Sequence, residues 1–228
     1  MESFDQITSI IALSMGVAWA SGINLYAAIL VLGLLGSTGN IVLPSDLQIL
    51  TSPLVLFAAG GMYLIEFVAD KVPGVDTSWD ALHTFIRIPA GAAMAVGAIG
   101  EVDPAVSLSA AIFGGGLAAG VHATKAGTRV LINTSPEPFT NWTASLSEDV
   151  MVIAGLWTAF HYPLLFIVLL VVFILLMVWL LPKIWRGIKW MFLSLINFFN
   201  GRKKWPPTPP DFKISDSIPS ISDKNPEI

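Results

Sequence analysis

Cysteine is absent from all 228 residues, and only 12% of them are charged while 54% are hydrophobic. Without cysteine there is no disulfide, no thiolate metal site and no cysteine nucleophile. Charge at about half the globular norm argues against a water-soluble fold of this size, and it excludes disorder, collagen-like repeats and a coiled coil, each of which needs a different bias. The net charge of -4 comes from 12 basic and 16 acidic residues spread unevenly along the chain, so their distribution matters more than their sum. Nothing supports nucleic-acid binding. The composition is that of an all-α, polytopic transmembrane helical bundle.

A span needs about 20 mostly apolar residues. The run from Ile7 to Gly36 holds no ionisable side chain and would be about 45 Å long as one straight helix, more than the bilayer core requires. It must tilt, bend or break, and Ala20-Ser21-Gly22-Ile23-Asn24 in its middle is where a membrane helix can do so. Further stretches run from Pro53 to Ala69, from Pro89 to Gly100, from Ala105 to Val121 and from Val150 to Leu181, the last divided at Pro163 into a short fifth span and a full sixth. Basic residues follow spans two, four and six, whereas the other connections hold Asp46, Glu101 and Asp103. The positive-inside rule then gives about six crossings with both termini in the cytoplasm.

Residues 1–182 form the expected transmembrane domain. Ile184, Trp185, Ile188, Met191 and Phe192 repeat at helical spacing with Arg186 and Lys189 elsewhere on the wheel, which makes 183–200 an amphipathic interfacial helix. Residues 201–228, rich in proline and serine, read as a disordered cytoplasmic tail or partner-binding arm. Gly16-Val17-Ala18 before Asn24 echoes Gly116-Leu117-Ala118 before His122. This is either an inverted three-plus-three repeat with a broken first helix, a recurring transporter plan, or a coincidence of glycine- and alanine-rich helices.

The charges fall on faces. Asp76, Asp80, His83 and Arg87, spaced four, three and four apart, lie within about 60° of one another on a helix. Glu66 and Asp70 share a face at the end of span two, Pro73-Gly74 turns the chain, and Pro89 sets the charged segment off as a short helix or kinked lead-in to span three. His122, Lys125, Arg129 and Asn133 form a basic face within about 80°. These groups converge near the cytoplasmic boundary, where the acids can hold a cation or proton, the histidines can titrate and Asn24 forms an uncharged floor. Alternatively the two faces pair and staple the bundle. Glu148 and Asp149, after Ser145 and Ser147, read as acids capping the start of span five.

At Ala20 through Tyr26, at Glu66 through Asp76 with Trp79, Asp80 and Arg87, at His122 through Arg129, and at Asn141 with Ser145 through Asp149, the chain resembles the bacterial membrane-protein family catalogued as domain of unknown function 4126. The resemblance covers about residues 7 to 182. It implies a bacterial inner-membrane protein and brings no substrate or activity.

Three functions compete. The first is a small transporter or channel whose site is Asn24, Glu66, Asp70, Asp76, Asp80, His83, Arg87, His122, Lys125 and Arg129, taking a cation, proton or small polar solute. The second is a membrane-embedded enzyme acting on lipid headgroups or phosphate esters, with a divalent cation on Asp76 and Asp80 as the one cofactor these residues suggest, and no complete catalytic signature. The third is a non-catalytic scaffold. The expected partners are the lipid bilayer, a small ion or solute, and a second copy where Gly114-Gly115-Gly116 and Gly120 let helices approach.

Overall fold

The computed structural model describes residues 2–72, 74–133 and 138–199. The described residues fall into two units, divided after residue 188. Pro73 and the tail 201–228 lie outside the described residues, and with them the readings of the Pro73 turn and of the disordered arm. Among the described residues every regular element is helical: α1 Glu2–Ser37, a short 3-10 helix Ser45–Thr51, α2 Pro53–Ala69, α3 Val75–Ile99, α4 Pro104–Ile132, α5 Pro138–His161 and α6 Pro163–Phe199.

Proline sets the helix starts. Pro53 and Pro104 occupy first-turn positions, where no amide donor is required, and Asp103 caps α4 by accepting from the Ala105 amide at 2.8 Å. Tyr162 alone separates α5 from α6, the tight turn that His161-Tyr162-Pro163 implies. Glycine at positive φ flanks α3 at both ends, Gly74 at 85° and Gly100 at 69°. Pro89 does not divide the charged segment from the rest of that helix, because α3 is one element with Pro89 inside it. Likewise α6 runs past Pro182 without interruption to Phe199, so the amphipathic stretch from 183 onward continues the preceding helix.

Among the described residues four helices, α1, α3, α4 and α6, are long and apolar enough to cross a membrane, and a fifth is gained if the 3-10 helix and α2, bent by 67°, are one span. The protein is a helical membrane bundle.

α1 does break, at Asn24, whose φ of -147° and ψ of 101° are those of a strand. Its two arms run in opposite directions. Along the first, Ser14 Oγ donates to the Ala95 carbonyl at 2.8 Å, Ser21 Oγ to the Arg87 carbonyl at 3.4 Å, and just past the break Tyr26 Oη lies 3.0 Å from His83 Nε2, a descent along α3. Along the second, Gly33 sits against the Leu50 carbonyl and Gly36 against Leu43 and Thr51. Leu43 in turn lines a cavity of about 340 Å³ with Ser9, Ile10, Leu13 and Ala98. A straight helix would hold residues 13 and 36 about 35 Å apart, yet Gly36 packs on Leu43 and Leu13 lines the same cavity as Leu43. α1 is therefore a hairpin that starts and finishes at one end of the bundle with Asn24 at its tip. An expectation of six crossings counts α1 as a full span, and the doubling back removes that one. α4 continues unbroken through His122, so the break at Asn24 has no counterpart there.

α3 and α4 lie so close that a Cβ added at Gly91 would collide with Ala118 and one at Gly114 with Ala95. The glycine run of α4 thus serves contacts within the chain at Gly114 and Gly115, whereas nothing approaches Gly116.

Candidate functional site

The two charged helical faces predicted from spacing turn toward each other at the tip of the α1 hairpin. Glu66, Asp76 and Arg87 are fully buried, and Asp70, Asp80, His83, His122, Lys125, Arg129 and Asn24 are nearly so. All ten residues expected at the site are buried in this region: eight are linked by ion pairs and hydrogen bonds, while His83 meets Tyr26 and Asn24 meets Asp149 beside them.

Lys125, from α4, occupies its centre. Its Nζ lies 3.3 Å from Glu66 Oε1, 3.2 Å from Asp70 Oδ2, 3.2 Å from Glu148 Oε2 and 3.9 Å from Asp80 Oδ1, and it donates to the Ile23 carbonyl at 3.2 Å. Arg87 pairs with Glu66, stands 3.7 Å from Asp80 and also donates to the Ile23 carbonyl at 2.9 Å. That carbonyl is freed by the break at Asn24, and it ends the first arm, the negative end of a helix dipole, where cations are favoured. Arg129 bonds Glu148 at 2.9 Å, stands 3.6 Å from Asp70 and donates to the Asn141 carbonyl at 3.1 Å.

Asn24 joins the hairpin to α5. Its Oδ1 accepts from the Ala27 amide at 3.0 Å, capping the second arm, and its Nδ2 donates to Asp149 Oδ1 at 3.1 Å, while Tyr63 donates to the other Asp149 oxygen at 2.9 Å. At the other extreme Asp76 takes both bonds from Asn133 Nδ2, at 2.8 and 2.9 Å, and Asn141 Nδ2 donates to Asn133 Oδ1 at 2.8 Å. A polar column therefore connects the hairpin tip, midway along α3, to the start of α3.

Both histidines are engaged at both ring nitrogens. His83 Nδ1 donates to the Trp79 carbonyl and its Nε2 faces Tyr26 Oη. His122 Nε2 donates to the Asp80 carbonyl at 3.0 Å and its Nδ1 accepts from Arg87 Nη1 at 3.3 Å. These bonds assign a neutral tautomer to His122 and leave no ring nitrogen of either histidine free.

Glu148 and Asp149 are not caps. α5 begins at Pro138, so both stand well inside the helix and point into the cluster, and Ser147 Oγ bonds the Ala144 carbonyl instead of an amide. Tyr63, Asn141, Glu148 and Asp149 are members that the charge pattern missed. A usable signal existed: Tyr63 precedes Glu66 and Asp70 at three- and seven-residue spacing, and Asn141, Ser145 and Glu148 share a helical face.

Six carboxylates (Glu66, Asp70, Asp76, Asp80, Glu148, Asp149) face three cations, an excess of three negative charges if all are ionised. Glu66 Oε2, Asp70 Oδ1 and both oxygens of Asp80 are buried without a hydrogen-bond partner. Such groups are costly unless something answers them. Asp76, by contrast, is saturated: besides Asn133 it accepts from the Gly74 amide and from Thr77. Among the described residues no group of three or more His, Asp or Glu is placed to hold a metal ion. Outside the spans, Lys71 lies over the Phe67 ring at 2.9 Å, and burial pushes its ammonium below the ordinary lysine value against the pull of Asp149 and Asp70.

Comparison with known proteins gives one match. The family model described as Domain of unknown function (DUF4126) matches residues 11–183. No curated protein and no solved structure matches the chain.

Proposed function

We propose that this chain, which belongs to the DUF4126 family, is a small membrane transporter or channel that passes a cation, proton or small polar solute through the charged cluster at the tip of the α1 hairpin. The observation that carries this reading is the surplus of buried, unanswered carboxylate oxygens where a broken helix presents its free carbonyl. Ionisable groups inside a membrane bundle are expensive and are retained where something must be held or moved, and discontinuous helices recur at such sites.

Orientation follows from charge. Lys71, Arg129, Lys183 and Arg186 gather at the end of the bundle opposite Asp46, Glu101 and Asp103, which favours a cytoplasmic placement for that end in a bacterial inner membrane. With α1 turned back, the crossing helices on this reading are α2 to α6, the less apolar α5 being counted with α3, α4 and α6. The start of α1 then lies on the outer side, opposite the basic flank of α6, in place of the two cytoplasmic termini that six crossings imply.

A structural staple is the second reading, favoured by the fact that each of the three cations has carboxylate partners. An enzyme working through a divalent cation on Asp76 and Asp80 has less support, because Asp76 is saturated by Asn133 and its own helix start.

Flux decides. Proteoliposomes containing the full chain are loaded with a pH-sensitive dye or a potassium-sensitive dye. Glu66→Gln and Asp80→Asn should each reduce proton or cation flux about tenfold, the equivalent of about 1.4 kcal/mol of lost interaction with one carboxylate charge. Unaltered flux in both variants would falsify the transport site and leave the staple.

A further inference from the structure

Lys125 is an incomplete occupant of the place it holds. Its ammonium has three N–H donors. Around it stand five oxygens, from the Ile23 carbonyl, Glu66, Asp70 and Glu148 at 3.2–3.3 Å and from Asp80 at 3.9 Å. It donates to the Ile23 carbonyl, Glu66 and Asp70, which uses all three and leaves Glu148 and Asp80 held by charge alone. Three donors cannot bond five acceptors at once, whereas a spherical ion has no such directional limit.

The charge points the same way. Around Nζ, the carboxylates of Glu66, Asp70, Asp80 and Glu148 outnumber the cations Arg87, Lys125 and Arg129 by one. Asp80 is 1% exposed, its Oδ1 aims at Nζ, and neither of its oxygens has a hydrogen-bond partner. The second oxygens of Glu66 and Asp70 are likewise buried and unpartnered. Even with the lysine in place the cluster is short of one positive charge.

We infer that the oxygen cage at the tip of the α1 hairpin is a monovalent-cation site of ammonium or potassium size, in which Lys125 is a tethered resident that a free ion displaces. This names the substrate class for the carrier reading and rests on it. The four-carbon stem of Lys125 gives the ammonium room to leave without moving α4.

The test reads binding without flux, so its failure and failure of the transport reading are distinguishable. Full-length wild type, Lys125→Ala and Lys125→Met, the last keeping the stem's volume, are unfolded thermally in detergent in potassium, ammonium, sodium and choline chloride at equal ionic strength. With the tether removed, both variants should melt about 5–10 °C higher in potassium or ammonium than in choline at a hundredfold excess over Kd. Wild type should show a smaller difference. Equal melting in all four salts overturns the site. Should neither variant fold in any salt, no free ion can replace the ammonium and the proposal is overturned as well. Recovery of a variant only in potassium or ammonium supports it.

Discussion

α3 and α4 run side by side, and the two ends of their contact are built on opposite rules. Toward the end of α3 that carries Gly100 the contact is backbone against backbone, with Gly91 against Ala118 and Gly114 against Ala95. Toward its start the same two helices meet through Asp76 with Asn133, Thr84 and Asp80 with His122, and Arg87 with His122. In lipid, helices gain little from apolar association and rely on close packing or polar bonds, and this pair uses each where the other is absent. The apolar end cannot accept added atoms, and the charged end cannot accept a lost charge.

The largest effect is expected where charge is removed. Arg87→Met leaves Glu66 and Asp80 buried without their guanidinium and should cost about 3–5 kcal/mol, read as a lower melting temperature in detergent. Adding Glu66→Gln should return part of that loss, because the two residues are in contact. An unchanged melting temperature in the single variant would mean that water already reaches the cluster.

Next comes added volume at the other end. Gly114→Val drives a branched side chain into Ala95 and the Gly91 carbonyl, for about 1–3 kcal/mol with little dependence on salt. A strong salt dependence would erase the distinction between the ends. The smallest change is Ser14→Ala, which removes a single buried bond to the Ala95 carbonyl and should cost about 1 kcal/mol. A loss as great as that of Arg87→Met would place the critical polar contact at the apolar end.

The charged end was largely legible in the sequence. Helical spacing alone placed Asp76, Asp80, His83 and Arg87 on one face and His122, Lys125 and Arg129 on another, because periodicity survives whatever the helix packs against. The break at Ser21-Gly22-Ile23-Asn24 followed from length and small residues. Its sense did not: an apolar run too long for one span can tilt or fold back, and only the packing of Gly36 on Leu43, beside the cavity that Leu43 shares with Leu13, decides between them. Glu148 and Asp149 were misread because the apolar run begins at Val150, while the helix begins twelve residues earlier at Pro138. Hydropathy marks where lipid begins, and a helix that starts in polar company is longer than its greasy part.

The folded-back α1 also bears on assembly. Residues 2–37 are synthesised before α3, α4 and α5, yet the Ile23 carbonyl and the Asn24 Nδ2 at the tip find their partners on those three helices. Surrounded by hydrocarbon alone, those groups would go unmet at a cost of several kcal/mol. A hairpin made ahead of its partners must thereby wait until Arg87, Lys125 and Asp149 have been delivered to receive it.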